Sequence, residues 1–150
     1  MIYFSFELIL VIGALVLAIR PPKFAPFGRK FGKTLPGQRS IPAPFVRLAW
    51  LGFACPIACD LLIQTRMGNL STAGASEAPA VGVSLAVLFS GLGTLSIPLF
   101  VRTDTAPDDR SLTMGMGFYI VIGLLYLAVG TFGTICFGIL WLKHVPLRIL

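Results

Sequence analysis

Four long apolar stretches, Ile2–Ile19, Phe45–Thr65, Ala80–Val101 and Met114–Leu142, alternate with short polar segments along the 150 residues of this chain. A bilayer core of about 30 Å needs about 20 apolar residues as helix, and each run approaches or exceeds that length. The pattern predicts an all-α integral membrane protein: four transmembrane helices in one small bundle, forming a single domain over residues 1–150. The fourth run is the longest, and its Gly115 and Gly117 end is expected either to tilt or to lie outside the hydrocarbon. Asp109 or Ser111 is the expected cap of its first turn.

Between the first two runs the character inverts. Residues 20–47 carry seven cations, six prolines and four phenylalanines, with no acidic residue. Each proline lacks the N–H that helix continuation needs, so an extended loop over residues 20–44 is expected. Cationic loops remain on the cytoplasmic side or its organellar equivalent. With this loop inside, nine Lys and Arg fall on the inner side and three (Arg66, Lys143 and Arg148) on the outer side. Both termini are then expected outside, in a bacterial inner membrane or its organellar counterpart. The opening residues carry no base before the apolar run, unlike a cleavable signal, so the first span is read as a retained helix.

Lys23, Phe24, Phe27, Arg29, Lys30, Phe31, Lys33 and Arg39 interleave cations with aromatic rings. That mixture suits a membrane surface, where rings enter the interface and cations meet lipid phosphates. Anionic lipid is therefore an expected partner, with an acidic protein surface as the competing one. No recognition motif points to nucleic acid.

Small residues mark where helices approach closely in lipid, because lipid supplies no hydrophobic drive for association. Gly82, Ala86, Ser90 and Thr94 form a ladder at spacing four. Gly130, Thr134 and Gly138 repeat it in the fourth span, and Ala14 and Ala18 serve the first. Packing within the bundle explains these stripes most simply; a neighbouring subunit on one of them is the alternative.

An ionisable group inside a span is a candidate site by default, because exposing its charge to lipid is costly. Glu7 and Asp60 are such groups, each about five residues from the outer end of its span, with Ser84 and Cys136 at comparable depth. Pro56 lies one turn before Asp60 and deprives the Gly52 carbonyl of its donor. Two carboxylates at one level can form a proton or cation site, or can simply sit hydrated near the interface.

Other chemistry is poorly represented. Cys55 and Cys59 are four apart rather than in the spacing of thiol redox pairs, and buried free cysteine is an ordinary small hydrophobe. His144 is the sole histidine and follows the last span, so an axial haem ligand from an intramembrane imidazole is not expected. Neither a cofactor, a metal centre nor catalysis is expected. Asp104, Asp108 and Asp109 read as a turn before a helix. The sequence favours a non-catalytic accessory or structural subunit of a larger membrane complex, assembled with other membrane subunits. The alternative is a small homo-oligomeric transporter of ions or small solutes using Glu7 and Asp60.

Overall fold

A computed structural model describes residues 2–23, 40–68, 76–100 and 110–144. They form four α-helices: α1 (Ile2–Ile19), α2 (Ala43–Met67), α3 (Ala78–Phe100) and α4 (Arg110–His144). All four are long and apolar enough to cross a membrane, which makes this a multi-pass membrane protein.

Local chemistry explains the helix limits. After α1, Pro21 and Pro22 bar continuation, and the last helical bond runs from Arg20 N–H to the Val16 carbonyl at 3.0 Å. Pro42 precedes α2 with extended ψ, and its carbonyl receives the N–H groups of Phe45 and Val46. Pro44 is harmless in this first turn because an N–H there would have no intrahelical acceptor. Gly68 ends α2 in the left-handed region, at φ 66°, where a side chain would be strained. Ser76 accepts the Ala78 N–H at the start of α3, satisfying one of the donors a helix start leaves free.

The helices pack as a file in chain order: α1 on α2, α2 on α3 and α3 on α4. This is more open than the expected compact bundle, since α1 has α2 as its one extensive neighbour. Its buried residues, Glu7, Val11, Ala14 and Ala18, form a single stripe facing that neighbour. Val11 joins Ile57 and Leu61 of α2 in an apolar cluster that Phe4, Leu10, Phe53 and Ala58 surround. A second cluster, at the opposite end, gathers Ile41, Val46 and Ile97 with Phe45, Trp50 and Tyr119.

α3 occupies the interior of the file and meets neighbours on two sides through glycine. Towards α2, a Cβ on Gly82 would lie 2.5 Å from the Phe53 carbonyl oxygen, and one on Gly93 would run into Ile41. Towards α4, Cβ atoms on Gly91 and Gly130 would strike the backbone of Leu127 and Leu88. Gly123 meets Leu95, and Gly133 meets Ser84. The predicted small-residue ladders are thus used only in part. Gly82 and Gly130 are close-approach points, whereas a Cβ on Gly138 would meet nothing within 4 Å.

Hydroxyls on these seams are satisfied within their own helices. Ser84 donates to Ala80, Thr94 to Ser90 and Thr134 to Gly130, at 2.8, 2.8 and 2.7 Å. Ser96 donates to the Gly93 carbonyl at 2.6 Å. Back-bonding of this kind removes the cost of burying a polar side chain against an apolar neighbour.

A candidate polar site joining three helices

Because consecutive helices are antiparallel, the start of α1, the end of α2, the start of α3 and the end of α4 share one end of the file. Glu7 and Asp60 meet there. They are 5% and 6% exposed, so each carboxylate is withdrawn from its surroundings. Gln64, one turn beyond Asp60, bridges them: its Nε2 donates to Asp60 Oδ2 at 2.5 Å and to Glu7 Oε2 at 3.4 Å. The second Asp60 oxygen, Oδ1, accepts the indole N–H of Trp141 from α4 at 3.0 Å. Side chains from α1, α2 and α4 therefore converge on two carboxylates.

The donor and acceptor inventory is unbalanced. Gln64 Oε1 is buried and has no hydrogen-bond partner. Among the described residues no Lys, Arg or His pairs with Glu7 or Asp60. Two acids and an amide oxygen face one another with few donors between them. A buried polar group left in this state costs free energy comparable to a lost hydrogen bond.

Spacing explains which residues take part. Asp60 and Gln64 are four apart and lie on one face of α2. Trp141, near the end of α4, reaches across to Asp60. Gln64 was not singled out, although its i+4 relation to an intramembrane acid was the available signal. Ser84 does not join the site. It shares the depth of Asp60 but faces Gly133 of α4 and bonds its own helix. Pro56 is buried within α2, one turn from Asp60, as the sequence indicates.

A shorter clasp lies beyond the site. His144 Nδ1–H donates to Glu77 Oε1 at 2.9 Å, tying the last residue of α4 to the residue before α3. This bond holds the Glu77 carboxyl below the usual carboxylate range. Both side chains are accessible, so the clasp is screened and contributes modestly.

Cys55 and Cys59 are exposed free thiols, and Cys136 is a half-buried one. No three His, Cys, Asp or Glu side chains come together as metal ligands among the described residues. Of the anchoring residues, Lys23 is described. Phe24, Phe27, Arg29, Lys30, Phe31, Lys33 and Arg39 lie outside the described residues, as do Asp104, Asp108 and Asp109. Comparison of the chain with protein families, with curated proteins and with solved structures finds no match in any of the three.

Proposed function

We propose that this protein is a non-catalytic accessory subunit of a larger membrane complex, acting through the faces it offers to neighbours. The observation that carries this reading is the open file. Here α1 packs extensively on α2 alone and α4 on α3 alone, which leaves a face of each outer helix for a neighbouring subunit. Large apolar side chains along α1 and α4, among them Ile9, Val16, Val129 and Phe132, stay exposed. In this reading the basic Phe-rich loop sits inside, holding anionic lipid or an acidic neighbour, and both termini face outward. The site end of the file is then the outer end.

Blue-native electrophoresis of a mild-detergent extract, followed by mass spectrometry of co-migrating bands, tests the assignment. Heterologous membrane partners are expected, and a lone homo-oligomer would overturn it. Labelling of a C-terminal tag from outside intact cells tests the orientation. The convergence of Glu7 and Asp60 supports a second reading, a small ion transporter. Solute flux from the purified chain alone in liposomes, abolished in Asp60→Asn, would establish that reading in place of the first.

A further inference from the structure

We propose that Glu7 and Asp60 share a single proton, carried by Glu7, and that its loss on alkalinisation releases α1 from α2. The inference concerns a pH-sensitive seam and stands whether the chain serves a complex or moves ions.

Two acids from different helices are more than nine-tenths buried at the same place. Both lie within hydrogen-bond reach of one nitrogen, the Nε2 of Gln64. That amide is neutral, so it offsets neither charge. Like charges at such range oppose each other's ionisation, and a bare carboxylate within a span is costly in itself. One proton on the pair relieves both penalties.

Hydrogen-bond geometry places the proton. An indole N–H and an amide NH₂ are donors, and each is best met by an oxygen that carries no hydrogen. Trp141 occupies Asp60 Oδ1 and Gln64 occupies Asp60 Oδ2, so a proton on either oxygen of Asp60 would face an N–H. The N–H contact to Glu7 is at Oε2, at 3.4 Å, which leaves Oε1 to carry the proton.

The other ionisable groups at this end stand apart from the pair. Tyr3 of α1, Arg66 of α2, and Lys143 and His144 of α4 are exposed, and Glu77 ahead of α3 is bound to His144. Cys59, beside Asp60 in α2, is an exposed thiol. Among the described residues no cation pairs with either acid. Once α1 parts from α2, Glu7 lies about one and a half turns from the helix end, where interfacial water supports its ionisation. The packed seam therefore holds a proton that the parted helices give up, and its stability falls as pH rises. On the acid side the seam stays closed.

Infrared spectroscopy of the full-length protein in lipid nanodiscs reads the proton directly, because a protonated carboxyl has a carbonyl stretch separate from that of a carboxylate. At neutral pH that band is expected in the unsubstituted protein and absent from Glu7→Gln. Hydrogen exchange reads the seam, as protection factors corrected for the intrinsic base dependence of exchange. Between about pH 6 and about pH 9, α1 protection should fall at least about tenfold while that of α3 holds. The infrared band should fade over the same interval. Glu7→Gln, of nearly the same shape and unable to ionise, should keep α1 protected throughout. Lack of the band in the unsubstituted protein at neutral pH overturns the proposal, whatever the variant does. So does a band that survives in Glu7→Gln, α1 protection that is flat with pH, or a fall that the variant retains.

Discussion

The two seams of this protein solve one problem by different chemistry. Where α3 meets α2 and α4, backbones approach at Gly82, Gly91, Gly123 and Gly130, side chains of the next helix close on Gly93, and dispersion between close surfaces holds the helices. Where α1 meets the file, Ala14 and Ala18 give some close approach, but its most specific link is Glu7 to Gln64, with Asp60 and Trp141 behind it. Burial of apolar surface cannot decide either case, because lipid tails are as apolar as leucine. The difference teaches that α3 is placed by shape and α1 by polar pairing. α1 should therefore be the helix most easily released.

The largest expected effect is on the shape-based seam. Gly82→Ala and Gly130→Ala place a Cβ against backbone that cannot rotate away, and each should cost about 1–3 kcal/mol in reversible SDS unfolding. Gly138→Ala, with open space around it, should lie within about 0.5 kcal/mol of the parent. Equal costs at Gly130 and Gly138 would break the comparison.

Loss of the bridge comes next. Gln64→Leu removes both carboxylate contacts and should loosen α1 by about 1–2 kcal/mol. Hydrogen exchange is expected to rise in α1 while the amides of α3 remain protected. Uniform deprotection of the chain would show that the seams are not separable. Trp141→Phe deletes one donor to Asp60 and should cost about 0.6 kcal/mol, the average for such bonds in membranes.

The smallest effect belongs to the clasp. Glu77 is held below its ordinary range, so the contribution of its bond with His144 is fully present above the unfolded carboxylate value. It is lost as pH falls through the depressed folded value. Exchange at the start of α3 and the end of α4 should therefore quicken on acidification. His144→Ala should show the faster exchange already at neutral pH, with a weaker acid dependence. An unchanged pH profile in that variant would rule out the clasp as its source.

Much of the fold was legible because the bilayer imposes a length on apolar runs. Ile2–Ile19 coincides with α1, and the other helices extend each predicted run by two to four residues at most ends. At the end of α3 the described residues reach Phe100, so Val101 of the predicted run lies outside them. Asp60 and Glu7 stood out because charge is rare in spans. Gln64 did not, since a neutral amide is less costly and draws no notice until its partners are seen. Ser84 shows the converse limit: depth can be counted along a chain, but the direction a side chain takes around its helix depends on which neighbour comes to lie there. The open file was not legible either, since nothing in four apolar runs says whether the first helix meets the last.

At about 1.5 Å per residue, the 18 residues of α1 reach about 27 Å, while the 35 residues of α4 reach about 52 Å. The shortest rod in the protein is thus the one that carries Glu7. In a thick, sterol-rich bilayer α4 has length to spare, whereas α1 must thin the surrounding lipid or draw its ends inward. A bilayer thicker than this reach therefore bears on the helix that carries Glu7 before it bears on the longer α4.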